Sequence, residues 1–274
     1  MTTAIATPTL SGAPHSDHLA TRARWAVSDT LTMTKRNLLA VTRIPEALFF
    51  SAVQPIMFVL LFRYVFGGEI TIPGTTYVNY LMPGIFVQTV AFGAVSTSIG
   101  LAEDLQKGLI ERFRALPMAR SAVLTGRTTA DLIRNVFVVI IMTVVGLLVG
   151  FRPTTGALPY FAGVLLILLF AYALSWGFAV IGLSAPNSET AQVMSFPLLF
   201  PLTFISSAFV NVRTMPSWLQ GFATYQPVSV TVSACRALMT GGSTATWVIQ
   251  SLLWTVGFLI VLIPLASWRY RTRT

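Results

Sequence analysis

Residues 131–150 read DLIRNVFVVIIMTVVGLLVG. The run from Val136 to Val145 is broken only by Thr143 and never alternates, as a lipid-facing barrel strand would have to. Twenty helical residues rise about 30 Å, the hydrocarbon thickness of a bilayer. A helix also satisfies its own backbone groups where lipid offers no partner. The stretch reads as a membrane-spanning helix.

Working outward, five more stretches have the same character, at about 47–66, 80–101, 159–183, 191–211 and 246–267. Composition agrees. Of the 274 residues, 54% are hydrophobic and only 10% charged, against about a quarter charged in soluble domains. The mean hydropathy is +0.74. The expected fold class is therefore all-α: a polytopic membrane protein with six spans forming one transmembrane domain over 22–274. A disordered polar tail is expected over 1–21, and without an apolar h-region it is no cleavable signal peptide.

The net charge of +9 sorts by position. Thirteen Lys and Arg fall in the arm 22–44, in the loop 102–130 and in the tail after 268, whereas Arg152, Arg213 and Arg236 lie on the opposite side. The positive-inside rule places both termini and the 102–130 loop in the cytoplasm. The basic balance is thus topology, with no nucleic-acid partner implied. In the arm, Val27, Leu31, Leu38 and Val41 share one face, which reads as an amphipathic helix lying at the interface before the first span.

Several chemistries are excluded. Cys235 is the single cysteine, so no internal disulfide forms. The two histidines, His15 and His18, lie in the tail with too few companions for a metal site. Neither Lys35 nor Lys107 follows a glycine-rich phosphate loop, so the chain holds no nucleotide in that way and is not expected to be an enzyme. Asp131 and Glu46 at span edges and Glu189 in a short inner loop are few carboxylates for a proton-coupled transporter.

Two regions between spans are large. Residues 102–120, AEDLQKGLIERFRALPMAR, place Leu105, Leu109, Phe113 and Leu116 on one helical stripe, with Glu103, Lys107, Glu111 and Arg114 on the other faces, and Pro117 ends the pattern. Such a helix either rests on lipid headgroups or docks a soluble partner. Residues 212–245 are too broken by Pro216, Gly221 and Pro227 for one helix, yet carry Trp218, Leu219, Phe222 and Tyr225, which call for partial burial. Short half-helices re-entering the membrane fit that composition. Pro197 and Pro201 in the preceding span are expected to kink it.

Taken in order, several motifs resemble the permease subunits of type-2 ATP-binding-cassette (ABC) exporters, of the daunorubicin/doxorubicin-resistance type. They are Arg43-Ile-Pro45, Gln54-Pro55, Leu61-Phe-Arg-Tyr-Val-Phe-Gly-Gly68 and Tyr80-Leu-Met-Pro-Gly84. Glu103-Asp104, Gly108, Arg112, Arg114-Ala-Leu-Pro117 and Arg120 follow on the cytoplasmic side. Phe204-Ile-Ser-Ser-Ala-Phe209, Met215-Pro-Ser-Trp-Leu219 and Gln226-Pro227 with Arg236-Ala-Leu238 complete the series. The resemblance covers roughly residues 22–268 and rests on order and spacing rather than on one motif.

The resemblance implies an ATP-driven exporter in the bacterial cytoplasmic membrane. Two permease copies, identical or related, would enclose the path, and two copies of a separate ATPase would bind ATP and Mg below. Residues Glu103, Asp104, Gly108, Leu109, Glu111, Arg112, Phe113, Arg114, Pro117 and Arg120 would form the coupling helix in a groove of that ATPase. Pro216, Trp218, Gln226, Pro227 and Arg236 would belong to the outer half-helices along the path. The implied substrate is an amphipathic drug or antibiotic. A lipid, glycolipid or polysaccharide is the alternative cargo, and a secondary transporter or a non-transporting scaffold the alternative role.

Overall fold

A computed structural model of the chain describes residues 16–42, 45–67, 72, 74–114 and 120–272. The tail 1–15 and residues Arg43, Gly68, Pro73, Leu116 and Pro117 lie outside the described residues, as do the side chains of Glu46, Arg114 and Arg120. Among the described residues there is no strand. The helices are α1 (Ser16–Thr42), α2 (Pro45–Leu60), α3 (Tyr77–Gln106), α4 (Leu109–Arg114) and α5 (Arg120–Val149). After them come α6 (Ala157–Ser184), α7 (Ser188–Phe204), α8 (Ser217–Tyr225), α9 (Pro227–Thr240) and α10 (Thr244–Thr272). A π-helical stretch, Leu61–Phe66, continues α2.

Four of these, α3, α5, α6 and α10, are long and apolar enough to cross a bilayer. Burial orders them: 72% of the most apolar stretch of α3 is buried, against 11% for α10. So α3 is the axis of the bundle, packed on α5, α6, α7 and α9, and α10 lies at its edge against α6 and α9. Outward-facing Leu148, Leu158, Leu253 and Ile260 are two-thirds exposed or more, as lipid-facing side chains are.

Between the helices, the main apolar cluster includes Phe86, Phe151, Phe170, Met142 and Met239. Phe86 and Phe151 meet edge to face at 6.1 Å, the arrangement that ring quadrupoles favour. Lipid is as apolar as these side chains, so close packing rather than escape from water holds the helices together. At Gly84 that packing is extreme. A Cβ there would lie 2.3 Å from the Ala208 carbonyl oxygen, so only glycine lets α3 approach the 205–211 segment.

The boundaries differ from the sequence reading at four places. Helix α1 starts at Ser16, so six residues assigned to a polar tail are helical. Helix α5 starts at Arg120, which moves Asp131 from a span edge into the helix interior. The stripe over 102–120 is not one helix: α3 runs to Gln106, and α4 begins after a turn at Lys107 and Gly108. Gly108 has φ +65°, a conformation that costs other residues dearly, and its N–H bonds the Leu105 carbonyl. In α7 helical backbone carries through Pro197 and Pro201 and stops at Phe204.

Candidate functional site

The C-terminal end of α3 is built on two pairings. Arg36 of α1 reaches Asp104 at 3.2 Å and lies 4.9 Å from the centre of the Phe113 ring. Asp104 is mostly buried, so this pair fastens the arm α1 to the end of α3 and to α4 at once. Ile110, 1% exposed, seats α4 in an apolar cluster with Leu101, Leu124 and Leu183. Phe113 packs against that cluster, and Leu109 is half-buried.

What α4 leaves to solvent is charged. Glu103, Lys107, Glu111 and Arg112 are exposed. Glu103 and Lys107 pair across one turn, and that hydrogen bond holds the Lys107 ammonium above the usual lysine range. An exposed pair of this kind adds little stability but leaves a patterned surface of both signs.

The segment between α7 and α10 has its own polar frame. Gln226 caps α9 by accepting from the Val228 N–H. Its amide nitrogen donates to Leu202 at 2.8 Å, and Pro227 follows at the first helical position, where a missing N–H costs nothing. Arg236 stacks over Tyr80 at 3.7 Å and donates to the carbonyls of Tyr80 and Ser207. Tyr80 and Tyr77 in turn donate to carbonyls of the 205–211 segment.

Ten of the fourteen α9 residues are buried. Helix α8 departs from the sequence reading: Pro216 is exposed, Trp218 is 80% exposed and Tyr225 63%. Among the described residues it packs on α9 and on the Val212–Thr214 turn, and amphipathic rings of this type sit well at a membrane–water boundary.

Midway between these ends lies a cavity of about 260 Å³, lined from α2, α3, α5 and α7. Its walls carry Gln54, Gln88, Asn135 and Gln192 among apolar neighbours including Phe58, Phe92 and Phe196. Beside it, Asp131 accepts from Ser96 and Thr97. Arg134 bonds the Gly93 carbonyl at 2.6 Å and lies 3.6 Å from Asp131.

Comparison with known proteins agrees with this architecture. The profile of the ABC-2 type transporter family matches residues 28–240, more than three-quarters of the chain. This chain belongs to the ABC-2 type transporter family. It is 34% identical over 249 residues to the daunorubicin resistance ABC transporter permease protein DrrB1 of Streptomyces coeruleorubidus, covering 90% of this chain and 88% of that protein. It is 27% identical to the probable doxorubicin resistance ABC transporter permease protein DrrC of Mycobacterium tuberculosis, over 92% of each. A putative transport permease of Cyanophora paradoxa is 24% identical over 86% of this chain.

For an ABC-2 permease the family implies an ABC ATPase as partner, with membrane residence for the chain itself. The residues expected on one coupling helix separate on the structure. Glu111 and Arg112 point outward, whereas Asp104 turns in to Arg36 and Phe113 in to its own cluster. Pro117 lies outside the described residues. The cavity was not recognised from sequence, although a buried polar residue inside each of two apolar spans, Gln88 and Asn135, was its visible trace.

Proposed function

We propose that this permease is the membrane subunit of an ATP-driven exporter, in which the α3–α4 corner is the surface that the ATPase grips. The observation that carries the reading is the charged face Glu103, Lys107, Glu111 and Arg112. Ile110 and the Arg36–Asp104 pair fix that face from behind, at the end of the most buried of the four long apolar helices. A load applied there reaches α3 directly. ATP closing the ATPase pair would push this corner and switch a permease dimer between inward- and outward-open states.

In this reading the six passes are α2 with its π-helical extension, α3, α5, α6, α7 and α10. Helix α7 has 17 residues and crosses with the help of the 205–211 segment. Both termini are cytoplasmic, two ATPase copies carry ATP and Mg, and the membrane is the bacterial cytoplasmic membrane. The cargo is an amphipathic drug or antibiotic, in line with the named resistance permeases.

The test is recovery of a co-expressed partner ATPase on the tagged permease, with wild type, Glu111→Arg and Arg112→Glu at matched expression. Charge reversal at a desolvated pair typically costs about 2–5 kcal/mol, so recovery should drop more than tenfold. Undiminished recovery in both variants would mean that the corner rests on lipid headgroups instead. ATP-dependent uptake into inverted vesicles, screened with drugs and lipids, then reads out the cargo.

A further inference from the structure

We propose that the cavity between α2, α3, α5 and α7 is a recognition site, inside one chain, for an uncharged hydrogen-bond-accepting group on an aromatic amphiphile. The proposal rests on the export reading and adds the chemistry of the cargo to it.

Among the described residues, three buried polar atoms there have no hydrogen-bond partner: the amide nitrogens of Gln88 and Asn135 and the hydroxyl of Thr89. Gln88 is 3% exposed and Asn135 2%. All three residues line this one cavity. Buried polar groups are almost always paired, and the hydrocarbon depth of a bilayer offers no substitute. An amide nitrogen only donates, so the missing partner must accept. Carbonyl, ether and ester oxygens do.

The wall also fixes the charge of the guest. Arg134 is the cation there, and one nitrogen of its guanidinium bonds the Gly93 carbonyl and lies 3.6 Å from the Asp131 carboxylate. Asp131 is satisfied in turn by Ser96 and Thr97. The two charges offset one another, so neither an anion nor a cation finds an unpaired counter-charge. An acceptor without net charge fits best.

The remaining surface is aromatic and directional. Phe92 lies 6.4 Å from Phe196 and 5.8 Å from Phe200. From Phe200 the rings continue to Phe204 at 5.2 Å and to Phe209 at 5.5 Å, in the outer segment. Phe62 closes the row, stacked on Phe209 at 4.6 Å. At about 260 Å³ the cavity falls below the roughly 300–1,000 Å³ that encloses a drug-sized ligand. It therefore takes the acceptor-bearing end of a guest, with the rest laid along the phenylalanine row.

The experiment uses the full chain in lipid nanodiscs and benzophenone as probe, whose carbonyl accepts hydrogen bonds and cross-links on illumination. Peptides are mapped by mass spectrometry, with fluorenone and fluorene as competitors of the same ring frame, one with a carbonyl and one without. Cross-links are expected in the α3 and α5 segments around residues 88–99 and 134–138. Fluorenone should suppress them at about a tenth of the fluorene concentration, one hydrogen bond being worth roughly tenfold. Asn135→Leu and the near-isosteric Thr89→Val should each reduce cavity labelling and narrow that difference, with folding followed by size-exclusion profile.

Labels spread over lipid-facing helices alone, or equal competition by both compounds, would overturn the site. Stronger competition by fluorenone-4-carboxylate than by fluorenone would overturn its neutrality. Recovery of the ATPase by the wild-type chain is measured alongside. Lost selectivity with intact recovery removes the site and leaves the exporter, whereas retained selectivity without recovery does the reverse.

Discussion

Arg236 shows how a single side chain fixes the outer segment. Its fork spans two carbonyls on different elements while its face covers the Tyr80 ring. Arg236→Met should fill most of the same volume but leave both carbonyls without that donor, at about 1–3 kcal/mol for each buried group. Thermal unfolding in detergent should show a clearly lowered midpoint. Arg236→Lys should not restore it, because an ammonium cannot reproduce the planar fork or the stack. Phe113 makes the complementary case at the inner end. It is packed under Arg36 within the chain, so Phe113→Ala should loosen the α1–α4 contact as well as weaken ATPase recovery. Faster proteolysis of the arm 16–42 in the variant checks the first effect independently of the second.

At the scale of elements, the break between α3 and α4 decides where the inner corner points. Gly108→Ala forces a Cβ into left-handed backbone at about 1–2 kcal/mol, while Gly108→Asn tolerates that conformation better. ATPase recovery should fall with Ala and largely return with Asn, and the melting midpoint should drop by a few degrees with Ala and by less with Asn. The apolar spans were legible from composition because lipid demands long uninterrupted helices, and the helix breaks around Pro216 and Pro227 announced α8 and α9. The α3–α4 turn was not, because Leu105, Leu109 and Phe113 keep their spacing across a single left-handed glycine. Lys107-Gly108 is nonetheless a helix-stop signature, and it could have been weighed above the stripe. The cavity was illegible for another reason. Gln88, Asn135 and Gln192 stand on three different helices, and only packing brings them to one space.

For the whole molecule, topology is the first quantity to check. Cys235 is fully buried, so the wild-type chain should give almost no background with a membrane-impermeant maleimide. Single cysteines at positions 75 and 243 should label from outside intact cells, and those at 112 and 271 only after permeabilisation. External labelling at 112 would reverse the orientation and remove the inner corner from the cytoplasm. Helix α3 has 30 residues and so runs about 45 Å, the full depth of a bilayer with its headgroups. Tyr77 at one end is tied to Phe209, and Asp104 near the other to Arg36. A strut that is stiff along its axis carries noise as faithfully as signal. In the export reading, a chance loosening at the Tyr77 end would load the Arg36 pair on the far side, so leak through the two faces would follow one shared fluctuation rather than two independent ones.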